Sequence, residues 1–92
     1  MNIADDPIHY PINGTLDLHQ FAAQDTIDVV EEFILACLEK EIYSLRIVHG
    51  KGKGVKRRMV ESVLDKHPHV VHYKHEGGTG GSWGAVVVDL RK

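Results

Sequence analysis

Residues 49–54 of this 92-residue chain, His-Gly-Lys-Gly-Lys-Gly, combine side chains that could do chemistry on a phosphate. Lysines and the N–H groups of a glycine-rich turn before a helix attract anions, and a histidine can transfer protons near neutral pH. The pattern predicts a phosphodiester site with nucleic acid as its ligand. Glycine and lysine are also common in solvated turns that only connect a strand to a helix. The turn is not a nucleotide-binding P-loop, because Val55 replaces the second glycine of that motif.

A second candidate group precedes this turn in the sequence. Residues 14–19 alternate, with Leu16 and Leu18 on one face and Asp17 and His19 on the other, as in a strand. An aspartate beside a histidine can orient the imidazole for proton transfer, but such a pair can also be purely structural.

The predicted site therefore has two parts. The predicted catalytic residues are Asp17, His19 and His49. The predicted phosphate-binding or nucleic-acid-binding residues are Gly50, Lys51, Gly52, Lys53, Gly54, Lys56, Arg57, Arg58, Gly78, Gly80 and Trp83. Trp83 could instead cover an edge of the core, and the basic triplet at 56–58 could be a solvated helix face.

The elements that must position these residues follow from hydrophobic periodicity. It predicts strands over 14–19, 42–48, 69–75 and 83–90, and helices over 23–40 and 55–66. This β-α-β-α-β-β order predicts an α/β fold, a two-layer sandwich with a four-stranded mixed sheet and two helices on one face. The first three strands are parallel and the last is antiparallel. The loops at 17–20, 49–54 and 76–82 then meet at one edge, where α/β sheets bind ligands.

The same periodicity predicts which side chains form the core. In the first helix the buried stripe is Ile27, Val30, Ile34, Cys37 and Leu38, with Phe33 at its edge. In the second helix it is Val55, Met59, Val63 and Leu64. In the third strand Val71 and Tyr73 share one face, and Val70 and His72 the other.

Composition limits the class of protein. Apolar residues make up 42% and charged residues 26%, as in an ordinary globular domain. No apolar run reaches the ~20 residues of a membrane span, and no signal segment is evident, so we expect a cytoplasmic protein without a membrane partner. Residues 1–13 are predicted to form an extended arm and residues 14–92 a single domain. The net charge of −2 is asymmetric: residues 1–42 carry nine acidic groups and one basic, whereas residues 43–92 carry ten basic and four acidic.

Three motifs resemble those of the small MutS-related (Smr) domain family. Leu16-Asp17-Leu18-His19 resembles its LDLH motif, His49-Gly50-Lys51-Gly52 its HGxG motif, and residues 78–90 its glycine-then-strand ending. The resemblance covers about residues 14–90 and implies a β-α-β-α-β-β sandwich similar to the C-terminal domain of bacterial translation initiation factor 3. The family occurs as the C-terminal domain of a MutS paralogue and as stand-alone proteins, which this chain resembles.

The resemblance also implies an activity. Family members are associated with nicking of DNA and with cleavage of RNA, including messenger RNA on stalled ribosomes. Asp17 and His19 match residues implicated in cleavage, and His49, Gly50 and Gly52 match residues implicated in activity or binding. The chain departs from the usual LDLHG at Gln20, where the motif has glycine. A glutamine there could narrow the site or alter its preference.

Several alternatives stay open at this point. On RNA, the 2′-OH can attack without a metal, with one of His19 and His49 as base and the other as acid. On DNA, water must attack, and Asp17 could then hold a magnesium or manganese ion. The histidines at 67, 69, 72 and 75 do not have the spacing of a zinc site. The alternative to an endonuclease is a non-catalytic module that binds nucleic acid or a ribosomal surface; the oligomeric state is not predicted.

Overall fold

The computed structural model describes residues 13–50, 54–77 and 84–92. The strands are β1 (Thr15–Asp17), β2 (Ser44–Val48), β3 (Val70–His75) and β4 (Ala85–Leu90). The helices are α1 (Thr26–Glu39) and α2 (Val55–Lys66), and two 3-10 turns span Leu18–Gln20 and Ala23–Asp25. The predicted arm lies outside the described residues except for Asn13. Neither described helix is long and apolar enough to cross a membrane.

The four strands form one mixed sheet in the order β1-β2-β4-β3. β1 is parallel to β2, and β4 is antiparallel to both β2 and β3. The predicted fold class and strand directions are therefore confirmed. The position of β4 between β2 and β3 was not predicted from the sequence. β4 suits an interior position, because Ala85, Val86 and Val88 are fully buried.

Both helices pack on one face of this sheet around a single core. The buried stripe of α1 is Thr26, Val30, Phe33, Ile34 and Cys37. Ile27 was predicted to be buried but is 41% exposed, and Phe33, predicted at the edge, is buried. The difference is a rotation of the helix about its axis, with Thr26 replacing Ile27 on the inner face. Burial raises the pKa of the Cys37 thiol to about 11, which agrees with its predicted role in packing.

Two further core predictions are wrong. In α2 the buried residues are Val60, Val63 and Leu64, whereas Val55 is 46% exposed because it opens the helix beyond the edge of the core. In β3 the pairing with β4 shifts between Val70 and His72. This irregularity turns Val71 outward, where it is 59% exposed, and leaves Val70 and Tyr73 packed against the core.

The C-terminus of α1 contains a strained residue that yields a stability prediction. Glu41 has a φ of 60°, and the N–H of Ile42 donates to the carbonyl of Cys37 in a Schellman arrangement. Glycine adopts this conformation without a Cβ penalty, so we expect Glu41→Gly to stabilise the fold and raise Tm by roughly 2–6 °C. Thermal unfolding of Glu41→Gln is the control, because it removes the charge at the helix end but keeps the Cβ. An equal rise in both variants would assign the effect to the charge instead.

Candidate active site at the carboxyl ends of β1 and β2

Asp17 and His19 form a hydrogen-bonded pair where β1 ends. Asp17 caps the 3-10 turn Leu18–Gln20: its Oδ1 accepts the backbone N–H of His19 at 2.9 Å and lies 2.7 Å from His19 Nδ1. The sequence predicted that both residues lie on a strand, but β1 stops at Asp17. The cap brings the two side chains into hydrogen-bonding contact. On a continuous strand, residues i and i+2 would share one face, but their side chains would lie farther apart.

The hydrogen bonds assign the tautomer of this pair. Because the Asp17 carboxylate accepts, Nδ1 of His19 carries a proton, and Nε2 of the neutral ring is left with a lone pair. The backbone N–H of His19 holds the pKa of Asp17 below its usual range; burial opposes this, and the side-chain hydrogen bond to His19 lowers the pKa further. The side chains of His19 and Asp17 are 61% and 49% exposed. The pair can thus accept a proton from a group that approaches from solvent.

Gly50 brings the second motif against this pair. Its φ is +89°, and a Cβ built on it would lie 2.9 Å from His19 Nε2, closer than real side chains come. The N–H groups of His49 and Gly50 both donate to the carbonyl of Gly84, at 2.7 and 2.9 Å. We expected the Gly50 amide to attract phosphate, but this N–H already donates to the Gly84 carbonyl. Gly50 contributes space for the imidazole.

His49 lies in a different environment from His19. His49 is only 5% exposed, and its Nδ1 donates to the Gly50 carbonyl at 2.9 Å. Its Nε2 is buried and has no hydrogen-bond partner among the described residues. Burial is the main cause that lowers the pKa of His49, with smaller contributions from His75 and Arg57. His49 is therefore a neutral, enclosed imidazole, and its predicted role as a second acid or base remains a prediction.

The basic residues at the start of α2 point to different places. Lys56 Nζ donates to the Leu18 carbonyl at 2.8 Å, which ties α2 to the turn that carries His19. Arg57 Nε lies 3.4 Å from the Glu61 carboxylate. Arg58 is exposed, and its guanidinium lies 3.3 Å from where a Cβ on Gly54 would be. Of the three basic residues at 56–58, Lys56 is thus the one placed beside the pair, and it contributes to lowering the pKa of Asp17.

Some predicted binding residues are not described. Lys51, Gly52, Lys53, Gly78, Gly80 and Trp83 lie outside the described residues. Their roles stay predictions. Gln20 is described: it is exposed and its φ is not positive, since Glu41 alone among the described non-glycine residues has a positive φ. The backbone here does not require the motif glycine, so the change at this position is one of side-chain bulk.

Two residues that adjoin the site, His75 and Glu61, were not among the predicted site residues. His75 Nε2 lies 2.7 Å from the Glu61 carboxylate, and the rings of His75 and His49 meet edge to face with centroids 6.1 Å apart. In the sequence His75 stood out only as one of the four histidines between residues 67 and 75. Its place at the carboxyl end of β3, the strand that ends at the same edge, was the available signal.

A metal does not fit the described side chains. Among residues 13–50, 54–77 and 84–92, no group of three or more histidine, cysteine, aspartate or glutamate side chains could hold a metal ion. Asp17 Oδ1 is already shared by two N–H groups of His19. The magnesium or manganese ion considered for Asp17 therefore has no built site among the described residues.

Comparison with known proteins places this geometry in a family. A model of the Smr domain matches residues 16–91. The chain is 36% identical over 80 residues to "Endonuclease MutS2" of Halalkalibacterium halodurans and 33% identical over 81 residues to the protein of that name in Clostridium botulinum strain 657. Each alignment covers 87% of this chain but 10% of the relative, so the chain spans about one tenth of these proteins.

Solved structures agree with the fold. The Smr domain of Thermus thermophilus MutS2 matches with a TM-score of 0.76 over 87% of this chain and 100% of that domain; at 24% identity this likeness shows the fold alone. YdaL, a stand-alone small MutS-related protein from Escherichia coli, matches with a TM-score of 0.77 at 27% identity, over 92% of this chain and 70% of the other. The resemblance noted in the sequence is confirmed.

Proposed function

Because this chain belongs to the Smr domain family, we propose that it is an endonuclease that cleaves phosphodiester bonds in nucleic acid. The observation that carries the proposal is the Asp17–His19 pair, exposed at the carboxyl ends of two parallel strands and seated against Gly50. Relatives over this region are named endonucleases. A nucleic-acid-binding surface alone would need cations but no carboxylate-oriented imidazole.

We assign the general base to Nε2 of His19. Its lone pair is free in the tautomer that Asp17 selects, and its exposed ring can reach a hydroxyl of the substrate. When the ring takes the proton, Asp17 stabilises the imidazolium across the 2.7 Å contact. This division of labour gives both residues of the LDLH motif a defined task.

RNA is the substrate that this arrangement suits best. Its 2′-OH supplies the nucleophile: the 2′-oxygen bonds to the adjacent phosphorus as its proton moves to His19. The bond to the 5′-oxygen then breaks, and that oxygen takes a proton from solvent. The products are a cyclic phosphate and a 5′-hydroxyl. No metal-bound water is required, which agrees with the donor set of the described residues. RNA on the ribosome is one source of such a substrate.

Cations supply affinity in this proposal. Lys56 and Arg58 lie at the start of α2, and the predicted contacts at Lys51 and Lys53 would extend the positive charge. Binding through phosphates releases counterions, so we expect affinity to fall steeply as salt rises.

The deciding experiment offers the purified protein end-labelled structured RNA and supercoiled plasmid, each with EDTA and with magnesium. We expect cuts in RNA with EDTA present, ending in cyclic phosphate, and loss of these cuts in Asp17→Asn. Plasmid nicking that depends on magnesium would move the proposal to DNA and contradict the metal-free mechanism. If neither substrate is cut beyond the level of Asp17→Asn while both bind, the domain is a binding module and the proposal is wrong.

A further inference from the structure

We propose that His49 is a positioning residue, which holds the Gly50 turn under the His19 imidazole and is itself held by His75 and Glu61. The inference deepens the proposed function and rests on it for its catalytic consequence. It assigns tasks to two residues, His75 and Glu61, that lie outside the sequence motifs. It also separates the two histidines of those motifs, with proton transfer at His19 and support at His49.

Two hydrogen bonds hold Gly50 in place. Its N–H donates to the Gly84 carbonyl at 2.9 Å, and its carbonyl accepts from His49 Nδ1 at 2.9 Å. Both backbone polar groups are therefore bonded, which sets the orientation of the residue. His19 Nε2 lies against the Cα of Gly50, as the 2.9 Å approach to a built Cβ shows. A movement of the Gly50 turn would thus change the space in which His19 works.

Neither ring nitrogen of His49 is placed to reach a substrate. A carbonyl oxygen can only accept, so Nδ1 of His49 is the donor to Gly50 and its proton is committed to that bond. The other nitrogen, Nε2, is fully enclosed in a residue that is 5% exposed. A general base must come within about 3 Å of the proton that it takes. Within the part of the chain that the structure describes, the hydrogen bond of the His49 ring is the one to the Gly50 carbonyl.

His75 and Glu61 hold the His49 ring in place. The rings of His49 and His75 pack edge to face with their centroids 6.1 Å apart, which is a favourable aromatic geometry. His75 is oriented in turn by the Glu61 carboxylate at 2.7 Å, which also lies 3.4 Å from Arg57. The contacts run from α2 through β3 to the turn after β2. We call His49, His75 and Glu61 the Gly50 brace.

The catalytic test compares two replacements of His49. Asparagine can place an amide N–H near the position of Nδ1, whereas phenylalanine keeps the ring volume but has no donor. His49→Asn keeps a donor but loses the ring contact with His75, so we expect its kcat to fall but to stay about tenfold or more above that of His49→Phe, with the wild-type pH profile. We expect His49→Phe to lose about 10²-fold in kcat at unchanged KM, as misplaced catalytic groups do. Equal, large losses in both variants would overturn the proposal and give His49 a proton-transfer role.

A second measurement does not depend on cleavage. Amide hydrogen exchange at Gly50 reports whether its N–H stays bonded to Gly84. His75→Phe keeps an aromatic ring against His49 but removes the bond to Glu61, and we expect at least tenfold faster exchange at Gly50, with Ile47 in β2 unchanged. The matched control is His72→Phe, at an exposed position of the same strand. Unchanged exchange at Gly50 overturns the brace. If wild type cuts no substrate but exchange responds as expected, the proposed function fails and the brace stands.

Discussion

Asp17→Asn is expected to lower the rate of RNA cleavage by roughly 10²–10⁴-fold, the range typical of removing one member of a general acid–base pair. Asparagine caps a turn as well as aspartate, so the backbone hydrogen bond from His19 can persist. It cannot stabilise the imidazolium that forms when Nε2 takes a proton. Single-turnover cleavage of end-labelled RNA measures the effect, with Asp89→Asn at an exposed position of β4 as the matched control. Cleavage by Asp17→Asn at the wild-type rate would remove Asp17 from the mechanism.

The same variant predicts a pH dependence of stability. The pKa of Asp17 is lowered in the folded protein, chiefly by the His19 backbone N–H. The charged carboxylate therefore stabilises the fold at any pH above the usual value of 3.8, and this contribution is lost as pH falls through the lowered pKa. The difference in unfolding free energy between wild type and Asp17→Asn should thus shrink on acidification. A difference that grows below pH 4 would contradict the assignment.

Gly50→Ala is expected to reduce cleavage about 10²-fold per folded molecule, in addition to a loss of stability. The new Cβ would lie 2.9 Å from His19 Nε2, so the imidazole must move, and displacement of a catalytic group by about 1 Å has an effect of this size. The φ of +89° adds a backbone penalty of roughly 1–2 kcal/mol. Cleavage rates normalised to the folded fraction, measured by circular dichroism, separate these two effects.

Gly14→Ala is the matched control for Gly50→Ala. Gly14 has the same φ of +89°, but its Cβ would meet the Ser44 carbonyl at 3.1 Å, away from the catalytic pair. We therefore expect Gly14→Ala to lose a similar amount of stability while its folded molecules cleave at the wild-type rate. Equal losses of cleavage in the two variants would show that Gly50 matters for folding rather than for the space around His19.

The sequence by itself determined the elements and the edge at which they meet. The alternation around Leu16 predicts a strand, although that strand ends at Asp17 and not at His19. The helical periods around Val30 and Val63 predict the two helices, because such a period matches the geometry of one backbone conformation. Once β1 and β2 are parallel, their carboxyl ends must be neighbours. The proximity of Asp17, His19 and Gly50 therefore followed from local patterns and chain topology.

Only the tertiary structure decided how those residues are used. The spacing of apolar residues shows that a segment is helical, but it leaves the rotation of the helix about its axis uncertain by one residue. For this reason the sequence could not show that Thr26, and not Ile27, faces the core. The burial of His49 depends on β4 lying beside β2, since the carbonyl of Gly84 holds the turn and β3 brings His75 alongside. Glu61 joins this group from 12 residues beyond His49, through packing of α2. Exposure, tautomer and pKa are set by such neighbours, and no local pattern encodes them.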